Sequence, residues 1–223
     1  MLTYEELREL VATGEVDTVV IAFADMQGRL MGKRFHAQFF VDGGWEETHC
    51  CNYLLTVDME MNTVQGYKST SWETGYGDYA LKPDLSTLRR LPWLPGTALV
   101  LGDTQDHHHH DVPHAPRSIL KAQVARARAM GFEPMMATEL EFYLFENSYE
   151  NLRDGGLNAL RTVGGYNEDY HIFQTTKEED VMRALRKQLT ASGIPVENSK
   201  GEWGPGQEEI NVRYGPALDA ADT

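Results

Sequence analysis

Two short acidic motifs in the second half of the chain carry side chains that can hold a hard cation. The first is TELEFYLF, where Glu139 and Glu141 stand two residues apart. On a strand, that period puts both carboxylates on one face and Leu140, Phe142 and Leu144 on the other. Carboxylates held side by side repel each other unless a cation or a proton lies between them. The second motif is GEWGPGQEEINVRY. Gly204, Pro205 and Gly206 make a turn, with Glu202 before it and Glu208 and Glu209 after it. Glu209 and Asn211 share a face with Gln207, while Glu208, Ile210 and Val212 share the other. A hairpin closed on this turn brings Glu202 towards Glu209. Oxygen donors of this kind suit hard divalent cations, and Mg²⁺ usually bridges a few carboxylates to substrate phosphates. A plainer reading also fits: a half-buried strand and a hairpin whose acids face solvent. Each motif alone leaves both readings open.

The elements that must position these residues can be read from the local pattern. Residues 3–13 predict a helix, with Thr3 and Glu6 as a capping box and Gly14 as its stop. VDTVVIAFAD (16–25) and LMGKRFHAQFF (30–40) predict a hairpin turning at Gln27-Gly28. CNYLLTVDM (51–59) reads as a strand, 60–94 as mostly loop, and TALVLGD (97–103) as a short strong strand. DTQDHHHHDVPHAP (103–116) is a polar, Pro-containing linker and marks the domain boundary. The second part opens with a helix over 117–131, stopped by Gly131. A long strand follows over 132–146, then loop over 147–170. A helix with a Thr cap, an acidic first turn and a Gly stop spans 175–193. Strands at 194–201 and 207–214 close the pattern. There is no regular βαβ alternation, so the expected class is α+β with an antiparallel-leaning sheet. GPALDAADT begins a helix-like pattern that breaks off, so the second domain reads as truncated.

Composition narrows the functions. At 223 residues the chain fits one large domain or two small ones. Apolar residues are 41% and charged residues 24%, as in soluble globular proteins. Twenty Lys and Arg against thirty-four Asp and Glu give a net charge of −14. Such a surface repels phosphate backbones and anionic lipid, so no nucleic acid and no membrane partner is expected. The two cysteines, Cys50 and Cys51, are adjacent and make no disulfide framework. A reducing, cytoplasmic location follows. Both read as small apolar residues rather than nucleophiles. His107–His110 with His114 reads as a solvated linker, with adventitious metal binding as the alternative.

Taken in order, these motifs resemble the glutamine synthetase family. TELEFYLFE and ENSKGEWGPGQEEINVRY match the family's Glu-x-Glu strand and its Glu…Pro-Gly-Gln-x-Glu hairpin. DMQGRLMGKR is similar to its N-terminal Asp-x-x-Gly-x-x-x-Gly-Lys hairpin. GYGDYALKPDLSTLRRLPWLPGTALVLGD and HAPRSIL are similar to the end of its first domain and the start of its catalytic domain. The resemblance implies a small β-grasp N-terminal domain (1–108) followed by the first part of a catalytic α+β domain (109–223). It implies a ligase that activates the glutamate γ-carboxylate with ATP as γ-glutamyl phosphate, which an amine or ammonia then displaces. Mg²⁺ or Mn²⁺ is the implied cofactor. Matched residue by residue, Glu141, Glu202 and Glu209 would bind the ion on the glutamate side and Glu139 the ion nearer the nucleotide. Glu197 would lie near the ATP phosphates. No catalytic acid or base is assigned. The family also implies a ring-shaped homo-oligomer, with each active site between one subunit's catalytic domain and its neighbour's N-terminal domain.

Three departures qualify the likeness. THCCNYLL stands where the family's Asp-Gly-Ser-Ser segment belongs, and the Asp of that segment serves the ammonia site. Its replacement favours a larger amine, such as a polyamine, ethanolamine or another alkylamine. The family's Asn-Gly-Ser-Gly-x-His segment, downstream arginines and last carboxylate ligand have no counterpart in the chain. Without them Glu139's ion lacks its other ligands, so the chain alone is expected to be inactive. The alternative is a non-catalytic truncated homologue acting as a scaffold or interaction module. A guanidino kinase ranks below both, because the two Glu motifs match the amide ligases.

Overall fold

The computed structural model describes residues 1–223. The mixed α+β class expected from the pattern is what is observed. The chain divides into two compact units. Unit 1 comprises Met1–Pro134 and Pro216–Thr223, and unit 2 comprises Met135–Gly215. The polar linker around residue 108 therefore lies inside unit 1. It is a tight turn in which the Asp106 carboxylate accepts the backbone N–H groups of His108 and His110 at 2.8 and 3.0 Å.

Unit 1 is built on a five-stranded sheet in the order β2-β1-β5-β4-β3. The strands are β1 (Thr18–Ala24), β2 (Leu30–His36), β3 (Thr48–Cys51), β4 (Asp78–Arg90) and β5 (Thr97–Gln105). β1 pairs antiparallel with β2 and parallel with β5, and β4 is antiparallel to both β5 and β3. The β-branched run of β1 explains its central place, with Val19, Ile21 and Phe23 in the core beside Ala98 and Val100 of β5. Helix α1 (Tyr4–Ala12) carries the expected Thr3–Glu6 capping box and buries Leu7. The β1–β2 turn also falls where expected. Asp25 accepts the Gln27 and Arg29 backbone N–H groups at 2.9 Å each and pairs with the Arg29 guanidinium at 2.7 Å.

Several local expectations need correction. The 30–40 strand ends at His36 and coils into α2 (Ala37–Phe39) and a π-helical turn, Phe40–Gly44, that seats Phe40 in the core. The strand expected over 51–59 is instead β3 followed by a 3₁₀ turn, Asn52–Leu55. The region read as loop contains β4, the second strand from the sheet edge. Its pattern is obscured because it is bulged: from Asp84 to Arg89, five steps along β4 match two along β5. The bulge has a purpose. It lets Asp84 accept both the backbone N–H and the hydroxyl of Ser86, at 3.1 and 2.6 Å. It also turns the second Asp84 oxygen outward from the ladder.

That oxygen meets helix α3 (Pro116–Ala129), which starts with Pro at its first position and is followed by Gly131 at φ 86°. The Arg117 guanidinium bridges Asp84 at 2.7 Å, Asp103 at 2.6 Å and both carboxylate oxygens of Asp222 at 2.9 and 2.7 Å. Asp222 follows the C-terminal helix of the unit. These are charge-assisted bonds with little solvent around them.

Asp25 and Asp84 make unit 1 acid-sensitive. Burial works against the charge of each. For Asp25 the Arg29 and Gln27 donors more than offset it, and for Asp84 Ser86 and Arg117 do, so both lie below 3.8. A depressed carboxyl contributes stability above its unfolded value that is lost as pH falls through the folded one. Unit-resolved hydrogen exchange in urea should show the unit 1 midpoint holding above pH 3.8 and dropping below it. A midpoint flat to the lowest pH would remove these two groups from the argument.

Unit 2 holds a three-stranded antiparallel sheet in the order β7-β9-β8. The long strand expected over 132–146 breaks, with a stub β6 (Met135–Met136) and then β7 (Glu139–Tyr143). β8 (Val196–Gly201) and β9 (Gln207–Val212) form the expected hairpin. The loop after β7 contains α4 (Tyr149–Gly155), capped by Ser148, and later α5 (Ile172–Thr175). α6 (Glu179–Ala191) has the acidic start, with Glu179 and Asp180, but no Thr cap. The Thr175 and Thr176 hydroxyls instead donate back to the carbonyls of His171 and Ile172. Met182 of α6 packs inward, as do Ile210 and Val212 of β9. In unit 1 the chain resumes with α7 (Ala217–Ala221). No helix of the molecule is long and apolar enough to cross a membrane.

Candidate metal centre

Register makes the site. Across β7 and β9, Glu139 faces Asn211, Glu141 faces Glu209, and Tyr143 faces Gln207. Directly opposed residues share a face, so the three glutamates converge. One carboxylate oxygen from each of Glu139, Glu141 and Glu209 lies within 4.8 Å of the other two. Glu139 and Glu141 are exposed, and Glu209 is only 5% exposed. The face is open on one side and fixed on the other.

Amide side chains aim the carboxylates. Gln207 donates from Nε2 to Glu141 Oε2 at 2.8 Å, while its Oε1 accepts the Gly204 N–H at 2.9 Å. Asn211 donates from Nδ2 to Glu209 Oε1 at 2.5 Å and to Asn198 Oδ1 at 3.0 Å. The hairpin turn closes through Glu202 N–H to the Gln207 carbonyl at 2.8 Å. Gly204 is required by space: a Cβ there would lie 2.2 Å from the Tyr143 hydroxyl and 2.7 Å from Gln207 Oε1.

Glu202 joins the site by a different route. The Lys200 ammonium lies between Glu202 and Asp169, with Asp169 at 3.2 Å and Glu209 at 3.7 Å. It also sits 4.4 Å from the centre of the Tyr170 ring. Glu202 is held down to about 2, first by a hydrogen bond from the Glu209 carboxyl, then by Lys200 and the Trp203 N–H. The same bond to Glu202 pushes Glu209 up, and burial adds to it. Desolvation works against the Lys200 charge, but Glu202 and Asp169 more than offset it and raise its pKa. In chemical terms, the Lys200 ammonium offsets carboxylates whose oxygens suit a hard divalent cation.

Four sequence-derived metal residues are therefore placed as follows. Glu139, Glu141 and Glu209 come together, and Glu202 is tied to Glu209 but stands outside the three-carboxylate cluster. Glu197 is elsewhere: it is exposed on β8 and pairs with Arg213 at 3.6 Å. Sequence reasoning did not assign Gln207 and Asn211, although their period-two spacing with Glu209 is a visible signal. Lys200 and Asp169 gave none, because they are 31 residues apart. Cys50 is buried and its thiol is pushed up to about 12 by desolvation, so it is no nucleophile. Cys51 is exposed.

Comparison with known proteins places the chain in a family. The family model of the glutamine synthetase catalytic domain matches residues 113–223. The gamma-glutamylethanolamide synthetase of Streptomyces coelicolor is 47% identical over 222 residues, which cover 99% of this chain and 48% of that protein. The glutamate–isopropylamine ligase of a Pseudomonas species is 33% identical over 218 residues, covering 97% of this chain and 48% of that protein. Among solved structures, a GmaS/ADP complex superimposes with a TM-score of 0.76 at 22% identity, covering 97% of this chain and 46% of that one. The chain spans about half the length of the curated relatives it matches. On this family match and these relatives, the chain belongs to the glutamine synthetase family of ligases.

Proposed function

We propose that the protein contributes to an ATP-dependent glutamate–amine ligase, and that its acceptor is an alkylamine or amino alcohol rather than ammonia. The observation that carries the reading is the β7–β9 cluster of Glu139, Glu141 and Glu209, aimed by Gln207 and Asn211. It is supported by relatives named for an ethanolamide product and for an isopropylamine substrate. Glu141 and Glu209, with Glu202 once Lys200 releases it, would hold one Mg²⁺ or Mn²⁺ ion, and Glu139 a second. Such ions supply charge neutralisation for the transferring phosphoryl group. The chain's own part is positional. Gln207 fixes the Glu141 carboxylate, Asn211 fixes Glu209, and Lys200 keeps Glu202 ionised.

The finer architecture belongs to the same proposal. Residues 1–108 are read as a β-grasp domain, supported by a mixed sheet in which the β1–β2 hairpin lies beside the parallel β1–β5 pair. Residues 109–223 are read as the opening of the catalytic domain, supported by a family match that starts at residue 113. Glu197 is kept as a nucleotide-side residue, a homo-oligomeric ring as the assembly and the cytoplasm as the location. The 223 residues alone are expected to be inactive.

The test uses a longer form of the protein that carries the remaining length of its relatives. Phosphate release is measured with glutamate, ATP and a panel of amines. The expected result is faster turnover with ethanolamine or a small alkylamine than with ammonia. Ammonia as the best acceptor would overturn the amine preference, and no turnover with any acceptor would return the scaffold reading.

A further inference from the structure

We propose that Glu168, Glu178 and Glu208 form a second cation site, on the face of β9 opposite Glu209, and that it takes a hard divalent ion. The proposal goes beyond the ligase reading and does not depend on it. Adjacent residues on a strand point to opposite faces. The single step from Glu208 to Glu209 therefore divides two carboxylate clusters across one sheet.

The geometry is that of a cluster closed off from solvent. One carboxylate oxygen from each of the three residues lies within 4.8 Å of the other two. Glu168 and Glu208 are each 1% exposed and Glu178 is 7% exposed. Both oxygens of Glu168, one of Glu178 and one of Glu208 are buried without any hydrogen-bond partner. Buried carboxylates are normally paired, hydrogen-bonded or metal-bound. Here no ion pair reaches any of the three. Of the basic side chains nearby, Arg186 holds Glu179 and Ser199, Lys200 holds Asp169 and Glu202, and Lys177, which acts on the Glu178 charge, makes no ion pair with the cluster. Glu179, at the start of α6, adds a further negative charge beside the cluster.

The surrounding backbone is fitted to the carboxylates. A Cβ on Gly164 would lie 2.1 Å from Glu168 Oε1, and one on Gly201 would lie 3.0 Å from the Glu168 carbonyl oxygen. Both positions therefore let the chain close around Glu168. The donors come from three places: the loop before α5, the residue that precedes α6, and β9. An ion there would tie these three segments at a single point. Every donor is oxygen, and neither His nor Cys joins the group, which selects Mg²⁺, Mn²⁺ or Ca²⁺ over zinc or copper. Protons shared among the carboxyls are the competing way to neutralise the cluster, and the experiment must separate the two.

The experiment titrates the 223-residue chain with Mn²⁺ near neutral pH, reading free ion by electron paramagnetic resonance and unfolding by far-UV circular dichroism. Two classes of bound Mn²⁺ are expected. The double variant E168Q/E178Q should lose one class, with an affinity loss of at least about 100-fold, and should lose part of the Mn²⁺-dependent rise in Tm. E141Q should lose the other class and keep this one, so failure here is distinct from failure of the ligase site. A folding-independent readout uses the unmodified chain and E141Q. With Fe²⁺ and ascorbate, local oxidative cleavage should fall near residues 164–178 in both. An unchanged Mn²⁺ stoichiometry in folded E168Q/E178Q, or no cleavage near 164–178, would overturn the proposal and leave shared protons as the neutralising agent.

Discussion

Replacing Arg117 with Met is expected to lower the unfolding free energy of unit 1 by about 3–5 kcal/mol. The guanidinium is the common partner of Asp84, Asp103 and Asp222, whose side chains are 30%, 12% and 11% exposed. Removing it leaves these carboxylates facing one another with Lys121, 2.8 Å from Asp103, and Arg89, which donates to the Asp222 carbonyl at 2.8 Å, as the remaining cations beside them. Arg117→Lys should recover little. One ammonium cannot replace the paired contacts to Asp222 while also reaching Asp103 and Asp84. Replacing Arg117 and the three aspartates together by apolar residues should recover much more, because the unpaired charges go with it. Urea unfolding at neutral pH reads all three. A loss below about 1 kcal/mol for Arg117→Met would mean that the cluster behaves as a surface ion pair.

Glu209→Gln is expected to weaken Mn²⁺ binding to the β7–β9 cluster by more than about 100-fold, while Gln207→Ala weakens it by only about 10–100-fold. The difference follows from their roles. Glu209 offers a charged oxygen to the ion, whereas Gln207 only holds Glu141 in place. In a longer form of the protein that turns over, Glu209→Gln should cost at least about a thousandfold in kcat/KM. That equals about 4 kcal/mol of transition-state stabilisation. Titration of the chain and initial rates of the longer form check the two halves separately. Unchanged Mn²⁺ affinity in Glu209→Gln would take Glu209 out of the site.

What the sequence showed, and what it hid, follows from how local each signal was. The capping box at Thr3, the turn at Gln27-Gly28 and the helix stop at Gly131 involve residues within a few positions of one another, and all appear in the fold. β4 was hidden because Pro83, Asp84 and Ser86 interrupt its alternation, and only Arg117, far along the chain, explains the bulge. The glutamate site was half legible. Period two put Glu139 with Glu141 and Gln207 with Glu209, but which residues face each other depends on the register of β7 against β9. Lys200 between Glu202 and Glu209, and Glu168 beside Glu178 and Glu208, are meetings of distant segments that no local spacing encodes.

The Arg117 cluster also sets an order in time. Its first two aspartates precede it in the chain, but Asp222 follows it by 105 residues. The whole of unit 2 lies between them. At about 5–20 residues per second of synthesis, Arg117 waits roughly 5–20 seconds for its bidentate partner. During that interval the five strands of unit 1 are all present, yet the guanidinium that will lock α3 to them still lacks its final carboxylate. A ribosome that stalls late in unit 2 thus leaves a nascent chain whose first unit still lacks the carboxylate that latches α3.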